Sequence, residues 1–444
     1  MKLEEAVEFM CAEAKRQTAD SFDVIGVESD DAGVEVFEGK VKSTEIASSR
    51  GIGIRLFKEG RPGIAYTEKF SEDAIKQAVT DASAHSRITD KMDLDLPMGE
   101  KLLDLDLESY KEEVDHITFD QMIELGLKLE QIALSRDKRI VNVPYLGVSK
   151  SSARSIIQNS KGVNYSRKGN AVSAGLGVVA KENESSKMGV YSNGGRSFSI
   201  FNTEFMSSKA VERALELLGA EPVESKQYPV VFSNRVSGGI IGMFLSPYYA
   251  ELVQKGQSRL ADKVGSKISV DEFTMTCNPH IPGFPGSRLF DSEGVVTKVT
   301  PIVQNGILKT FLYNLESAKK AGIAPTGNGS RSYAGKAGTG TSNLIVEKGS
   351  KTVTELLSAY PECLYITKLE GASGCSAISG EISIGAQGIL YKNGKPVRPI
   401  DRITLNSNYF DLLHLIRGFS NEYNDAFSSV KVPDILVESM YVAG

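Results

Sequence analysis

The sequence predicts an α+β protein, with an N-terminal α/β region built from two related helix–strand units and a β-rich C-terminal domain with antiparallel hairpins. Two observations predict the first part: amphipathic segments flank glycine-rich runs of alternating apolar and polar residues, and this arrangement occurs twice. Asn-Gly pairs between apolar runs predict the second part. We expect domains over 1–110, 111–222 and 223–444, and the first two can pack as one.

The first unit begins with a helix over 3–16. Alternating strands follow, punctuated by Gly39, Gly51, Gly53, Gly60 and Gly63. Gly51 and Gly53 are interpreted as a glycine pair within a strand and not as a dinucleotide fingerprint, because no helix follows Gly53. Ser71 then caps a helix that runs to about His85. This helix carries acidic residues in its first turn, where the helix dipole favours them.

The second unit begins at Thr118, which forms a capping box with Gln121, and this helix is expected to end near Arg136. Residues 152–205 repeat the pattern of strands and glycines. A helix over 207–218 should then close the unit, with Gly219 in the position after its C-terminus.

The acidic stretch over 89–116 separates the two units, and its composition predicts a solvated linker. An acidic metal site is the alternative interpretation. Its DLDL sequence lacks the glycine turn and the bidentate glutamate of a calcium-binding loop, which favours the linker.

The C-terminal domain is predicted to be mostly strands and turns. Asn305-Gly306 and Asn393-Gly394 each stand between two apolar runs, which is the strongest short-range signal for a hairpin. A helix over about 246–263 is expected to pack on these strands.

Composition narrows the classes of function. The 444 residues include 41% hydrophobic and 24% charged residues, and the net charge is −5, so the basic excess of a non-specific nucleic-acid binder is absent. No apolar window is long enough to predict a transmembrane helix, and the N-terminus predicts an amphipathic helix and not a signal peptide. Four widely spaced cysteines predict reduced thiols in a cytoplasmic protein: Cys11, Cys277, Cys363 and Cys375.

Few residues suggest a catalytic or metal-binding role. No two of the four histidines lie three or four residues apart, as a helical zinc motif requires. Cys277 and His280 form an isolated pair, which favours a structural role over metal binding. Cys375 lies among serines with no histidine close in sequence, so a buried thiol is favoured over a nucleophile, although a role for it stays open.

The glycine-rich segment 327–343 does not match a phosphate-binding loop. Five residues separate Gly329 from Gly335, where the motif needs four, and Ala337 follows Lys336 where the motif needs Ser or Thr. A connection that lines a groove with backbone N–H groups is the better interpretation.

Four stretches resemble the C-terminal domain of the TldD/PmbA family, whose older name is modulator of DNA gyrase. They are FDSEGVVTKVTPIVQNGIL (290–308), TGNGSRSY (326–333), GASGCSAISGEISIGAQGILYKNGKPV (371–397) and RITLNSN (402–408). The resemblance implies one of two branches. TldD proteins are zinc metallopeptidases with a helical HExxxH motif. PmbA proteins, also called TldE, lack the motif and pair with TldD to degrade unfolded peptides and mature peptide antibiotics.

The resemblance aligns Met243 and Tyr248 with the two histidines of the HExxxH motif, and Phe244 with its glutamate. A zinc peptidase needs imidazole ligands and a carboxylate that deprotonates water, and these three side chains supply neither. Pro247 also breaks the helix inside the motif. The family's third ligand is a cysteine near the C-terminus, and no Cys or His follows Asn421 here. The resemblance thus implies a PmbA/TldE-like chain without metal or cofactor.

From this resemblance we expect a non-catalytic, cytoplasmic subunit that acts in proteolysis or peptide maturation. Its partner would be a TldD-like zinc peptidase subunit in a heterodimer, or a second copy in a homodimer, without direct contact with nucleic acid or membrane. An unfolded or extended peptide could add to backbone groups of segments 327–343 and 371–388. The candidate groove residues are Tyr249, Gly338, Gly340, Gly374, Ser376 and Gly380. Two alternatives remain: an independent hydrolase with an unrecognised site, and a binding or regulatory protein linked indirectly to DNA gyrase.

Overall fold

The computed structural model describes residues 1–444. The first unit consists of α1 (Leu3–Arg16), β1 (Ser21–Phe37), β2 (Lys40–Lys58), β3 (Arg61–Thr67) and α2 (Glu72–His85). After a short helix, α3 (Glu112–Asp115), the second unit consists of α4 (Phe119–Arg136), β4 (Ile140–Asn159), β5 (Asn164–Glu182), β6 (Ser185–Gly195) and α5 (Thr203–Leu215). Each unit is a helix, three strands and a helix, which confirms the predicted repeat.

The two units share one antiparallel sheet with the strand order β3-β2-β1-β4-β5-β6. Its central pair, β1 and β4, runs in register from Asp23 opposite Asn159 to Glu35 opposite Gly147. Helices α1 and α2 bury one apolar cluster against the first three strands, and α4 and α5 bury another against the last three. Because side chains alternate along a strand, the opposite face of the sheet is left for the C-terminal domain.

Local side-chain chemistry sets the helix starts. Thr118 accepts a hydrogen bond from the Gln121 amide at 3.2 Å, and the Gln121 side chain accepts one from the Thr118 amide at 2.9 Å, so the predicted capping box is present. The helix predicted over 207–218 begins earlier, because Asn202 caps it by accepting from the Phe205 amide at 3.0 Å. Its regular part ends at Leu215, and a turn continues to Gly219 at φ +70°.

The glycines of the first unit are of two kinds. Gly39 and Gly60 lie in turns with φ of +69° and +72°. Gly51 and Gly53 instead lie inside β2, as expected of a glycine pair within a strand. A Cβ on Gly53 would stand 1.8 Å from the Tyr333 carbonyl oxygen, and one on Gly51 would stand 2.3 Å from the Tyr333 ring. These glycines let a segment of the C-terminal domain lie directly on the sheet.

Replacing Gly53 by alanine should therefore destabilise the protein by roughly 1–3 kcal/mol, because the new methyl group overlaps backbone that cannot move alone. Gly33→Ala is the matched control, since its Cβ would meet nothing closer than 3.7 Å in the same sheet. Chemical denaturation of both variants measures the difference. Equal midpoints for the two would contradict the close contact.

The C-terminal part contains five short helices and thirteen strands. The helices are α6 (Ser237–Met243), α7 (Ala250–Gln254), α8 (Leu315–Ala321), α9 (Val353–Leu357) and α10 (Tyr409–Leu415). The strands are β7 (Lys226–Phe232), β8 (Met275–Cys277), β9 (Thr300–Gln304), β10 (Ile307–Leu308), β11 (Gly329–Ser330), β12 (Gly338–Thr339), β13 (Leu344–Val346), β14 (Glu362–Glu370), β15 (Glu381–Lys392), β16 (Lys395–Asn408), β17 (Ile416–Phe419), β18 (Val430–Lys431) and β19 (Ile435–Ala443).

The main C-terminal sheet has the order β16-β15-β14-β7-β19-β17, and pairing of β16 with β19 closes it on itself. A second sheet has the order β10-β9-β8-β13-β18. Both predicted Asn-Gly hairpins are present. Asn305 and Gly306 have φ of +49° and +73°, and Asn393 and Gly394 have +50° and +73°, as a type I′ turn requires.

The helix predicted over 246–263 is not formed as one element, so this prediction is wrong. Helix α6 ends at Met243, a 3-10 turn covers Ser246–Tyr248, and α7 adds only five residues. Pro247 has no N–H for a continuing helix. The backbone on either side of Tyr249 instead bonds to Leu312, at 2.9 Å to its amide and 3.0 Å to its carbonyl.

The acidic stretch between the two units contains no helix or strand from 90 to 111, but it is packed and not simply solvated. Leu96 and Leu107 are buried, and the Asn159 side chain donates to the Pro97 carbonyl at 2.8 Å. The prediction of a solvated linker is therefore only partly right. No helix combines the length and the apolar character that a membrane span requires.

Candidate functional site

The residues at the three motif positions lie where α6 ends. Met243 is the last residue of α6, Phe244 is its C-cap, and Tyr248 ends the 3-10 turn. Phe244 and Tyr248 are fully buried, whereas Met243 is half-buried and packs against the C-terminal core. A helical surface that could present three metal-site side chains together is therefore interrupted.

A third aromatic residue, Tyr409, completes this site. Its ring stacks on Phe244 with centroids 4.6 Å apart and planes 9° from parallel. Its hydroxyl lies 3.2 Å from the Tyr248 hydroxyl. Tyr409 is held at the start of α10, where the Asn408 side chain accepts a hydrogen bond from the Phe410 amide. We call Phe244, Tyr248 and Tyr409 the aromatic cluster.

The aromatic cluster is neutral at physiological pH. Burial, followed by the neighbouring Tyr409, raises the pKa of Tyr248 well above its ordinary value. Burial likewise raises the pKa of Tyr409. Because charge on either phenol is strongly disfavoured, neither oxygen is available as an anionic ligand.

These residues do not fit the zinc centre of a peptidase. Such a centre needs at least three nitrogen, sulfur or carboxylate ligands and a position left open for water. The aromatic cluster contains none of these ligand types, and its rings fill the space. Nowhere in the chain do three or more His, Cys, Asp or Glu residues come together in a way that could hold a metal ion.

Two of the predicted groove residues, Gly338 and Gly340, lie in a hairpin that contacts α7. Gly338 would place a Cβ 3.6 Å from the carboxylate of Glu251 in α7. That same carboxylate accepts from the Thr339 amide at 3.4 Å. Gly340 follows in the same hairpin, where its amide donates to the Asn328 carbonyl at 2.9 Å.

The second predicted loop joins the aromatic cluster. The Gly380 carbonyl accepts from the Tyr409 amide at 2.7 Å, and Gly380 is buried with φ of +79°. Gly374 is exposed and stands against the Ser383 carbonyl, while the Ser376 amide donates to Glu381 at 2.9 Å. Gly374 and Ser376 thus lie on a loop that ends at the aromatic cluster.

Cys277 and His280 bond to different partners. The Cys277 sulfur lies 3.1 Å from the Ser342 hydroxyl in the C-terminal core. The His280 Nε2 atom lies 3.0 Å from the Thr297 hydroxyl, and burial lowers the pKa of this histidine. Each residue thus has a structural contact of its own.

Cys375 is the only half-buried cysteine, and the other three are buried. Its sulfur lies 3.9 Å from the Ser383 carbonyl, and no acid or base is hydrogen-bonded to it. Burial raises the pKa of Cys11 to about 12 and that of Cys363 to about 11.

A thiol reagent at neutral pH should therefore label one cysteine in the folded chain and four after denaturation, because thiolate and access are both required. Peptide mapping should find the label on Cys375, and Cys375→Ser should abolish labelling of the folded chain. Rapid labelling of Cys11 or Cys363 in the folded chain would contradict this result.

An ionic cluster that the sequence interpretation missed joins the two halves of the molecule. Arg55 of β2 lies 3.1 Å from Asp23 of β1 through Nε and 3.0 Å from Glu293 of the C-terminal domain through Nη1. Arg331 also pairs with Asp23. All four side chains are almost completely buried. We call Asp23, Arg55, Glu293 and Arg331 the ionic cluster.

Charge pairing sets the ionisation of this region. Burial opposes the charge on Asp23, but Arg331 and Arg55 outweigh it and hold its pKa below the ordinary value. Burial and the nearby Glu293 raise the pKa of Asp291 to about 7. A signal for the ionic cluster was present in the sequence, since Arg55 interrupts the apolar run between Ile52 and Phe57.

Comparison with known proteins agrees with this architecture. Three family models match the chain: PmbA/TldA metallopeptidase domain 1 over 22–86, the central domain over 112–218 and the C-terminal domain over 225–444. The metalloprotease PmbA of Escherichia coli O157:H7 is 29% identical over 412 residues, covering 91% of this chain and 88% of that protein.

Solved structures share the fold. A Thermotoga maritima protein named as a modulator of a DNA gyrase superposes with a TM-score of 0.90 at 26% identity, covering 99% of this chain and all of that one. TldE from Thermococcus kodakarensis superposes with a TM-score of 0.89 at 21% identity, covering 99% and 100% of the two chains. The resemblance predicted from the sequence is confirmed, and the chain belongs to the TldD/PmbA family of metallopeptidase-like proteins.

Proposed function

We propose that this chain is a non-catalytic, PmbA/TldE-like subunit that pairs with a TldD-like zinc peptidase subunit in proteolysis or peptide maturation. One observation carries the proposal: Phe244 and Tyr248, which the resemblance aligns with the glutamate and the second histidine of the HExxxH motif, are fully buried and packed with Tyr409. The neutral, tightly packed rings offer neither ligands nor a general base. The role left to the subunit is to shape the space that admits an extended peptide.

The surroundings of the aromatic cluster support a role in admitting peptide. The loop from Gly374 to Gly380 ends on Tyr409, and the Gly338–Gly340 hairpin is held by Glu251. Glycine-rich backbone near a sheet can accept an extended chain by strand addition. We place the subunit in the cytoplasm because all four cysteines are unpaired thiols.

Co-expression with a TldD-like protein from the same organism tests the proposal. The tagged chain should retain the TldD-like protein through purification, and omission of the chain should reduce cleavage of an unfolded peptide by that protein. A peptidase that is equally active without this chain, and that elutes separately from it, would overturn the proposal. The proposal would also be overturned if this chain eluted as a homodimer, apart from the TldD-like protein, and that protein stayed inactive in its presence.

A further inference from the structure

A cleft of about 720 Å³ lies between the N-terminal sheet and the C-terminal domain. Strands β4 and β5 form one wall, residues 285–292 form the other, and the linker over 102–110 covers one end. None of the residues from α6 to α7 line it. Its size is that of a site for a small ligand or for a few residues of peptide.

The lining of this cleft is strongly basic. Six cationic side chains and one acidic one, Asp106, face it. Three of the cations have carboxylate partners elsewhere, since Arg154 pairs with Glu4, Lys168 with Asp115 and Arg331 with Asp23. The other three are Arg167, Arg196 and Arg288, and they make no ion pair within 4.0 Å.

Arg167 is held in place but keeps donors free. Its Nε atom donates to the Ser155 hydroxyl at 2.9 Å, and its guanidinium lies 5.9 Å from the centre of the Phe290 ring. The side chain remains open to solvent inside the concave cleft. Its position among protein atoms, followed by the nearby charge of Arg288, lowers its pKa to about 10, and Asp291 only partly offsets this. A bound anion would relieve this unfavourable environment.

Arg288 and Arg196 are also partly unsatisfied. Arg288 donates through Nη2 to the Thr341 carbonyl at 3.3 Å, and its buried Nε has no partner. Arg196 donates through Nε to the Ser109 carbonyl at 2.7 Å and through Nη1 to the Gly283 carbonyl, which leaves Nη2 free, and it lies 5.4 Å from the centre of the Phe427 ring. Glu108 offsets part of the charge of Arg196 without pairing with it.

An open strand edge lies beside these arginines. Strand β5 pairs with β4 from Asn164 onward, but its other neighbour, β6, begins to pair only at Val172. The linker uses part of this gap, where the Asn170 amide donates to the Ser109 carbonyl at 3.1 Å. Arg167 lies in the part of the edge that remains open. Backbone groups for an extended peptide therefore stand next to unpaired guanidinium groups.

We propose that this cleft binds a carboxylate of an extended peptide, with Arg167, Arg288 and Arg196 as its cationic contacts and the open edge of β5 as its backbone contact. A guanidinium group presents parallel N–H donors that match the two oxygens of a carboxylate. The choice of a peptide as the ligand rests on the proposed function. The carboxylate can belong to the C-terminus or to an Asp or Glu side chain.

Fluorescence anisotropy with the purified full chain tests the proposal with three labelled peptides of one unfolded sequence. The first has a free C-terminus and no acidic residue, the second is the same peptide amidated, and the third is amidated with two glutamates added. At least one carboxylate-bearing peptide should bind about tenfold more tightly than the neutral amidated one. The peptide that gains affinity identifies the source of the carboxylate. Equal binding of all three would overturn the proposal.

Variants distinguish carboxylate binding in the cleft from a general effect of the charge of the protein. Arg167→Gln and Arg288→Gln should each reduce the preference for carboxylate several-fold, whereas Arg167→Lys, which keeps the charge, should reduce it less. Arg87→Gln is the matched control because Arg87 is exposed and makes no ion pair. Thermal denaturation confirms that each variant is folded. Folded Gln variants with unchanged preference would overturn the assignment.

The outcome is independent of the partner experiment, because binding is measured on the chain alone. Carboxylate-selective binding without co-purification of a TldD-like protein would support the cleft and overturn the proposed partnership. Co-purification without any carboxylate preference would support the partnership and overturn the cleft.

Discussion

Replacing Arg55 by methionine is expected to lower the free energy of unfolding by about 3–5 kcal/mol, because the change leaves Asp23 and Glu293 buried without their shared cation. Arg331 remains beside Asp23, but Glu293 loses its only ion-pair partner. Urea denaturation of the variant and the parent chain measures the difference.

A matched change at the surface controls for the loss of an arginine. Arg136 pairs with Glu204, and both side chains are more than one-third exposed. Arg136→Met should therefore cost at most about 1 kcal/mol. If Arg55→Met were no more destabilising than this control, the ionic cluster would not hold the N-terminal sheet to the C-terminal domain.

Replacing Phe244 by alanine should lower the free energy of unfolding by about 3–5 kcal/mol, because a fully buried ring stacked on Tyr409 is removed from a closely packed core. Thermal or chemical denaturation measures the effect. The size of the effect reports whether the aromatic cluster fills the site or leaves it open.

Tyr248→Phe is the control for this change, since it keeps the ring and removes one hydroxyl of the bonded pair. Its expected cost is about 1 kcal/mol, the usual contribution of one hydrogen bond. A Phe244→Ala variant as stable as the parent chain would show that the side chain is not packed as described, and the support for a filled metal site would fail.

Local sequence signals predicted the fold well where a few neighbouring residues decide the structure. The capping box of Thr118 and Gln121 formed as expected, as did the two Asn-Gly turns. The repeated helix–strand unit was also visible, because each helix carries its own apolar face. These features need no knowledge of distant contacts.

The sequence interpretation failed where contacts with residues distant in the chain determine the local structure. Gly53 was expected within a strand, but the sequence did not show that its lack of a side chain makes room for Tyr333, which is 280 residues away in the sequence. The helix expected after Ser246 is replaced by a 3-10 turn and a short helix, because the backbone on either side of Tyr249 pairs with Leu312. No local pattern could reveal either contact.

In the candidate site, too, some residues could be identified from the sequence, whereas others depend on distant contacts. The resemblance identified Met243, Phe244 and Tyr248 as the positions to examine, but it did not reveal that Tyr409 would stack on Phe244 and meet the Tyr248 hydroxyl with its own. The roles of Arg55 and Arg167 could not be predicted locally either. Arg55 pairs with Glu293 of the C-terminal domain, whereas Arg167 lies near Arg288 of that domain without an ion-pair partner.

Metal analysis of the purified chain, combined with a peptide-cleavage assay of the chain alone, tests the central claim most directly. The chain should contain no stoichiometric zinc after incubation with zinc and desalting, and it should not cleave an unfolded peptide, because its aromatic cluster supplies neither ligands nor a base. One zinc ion per chain, together with cleavage that a chelator abolishes, would contradict the proposal that this chain is a non-catalytic subunit.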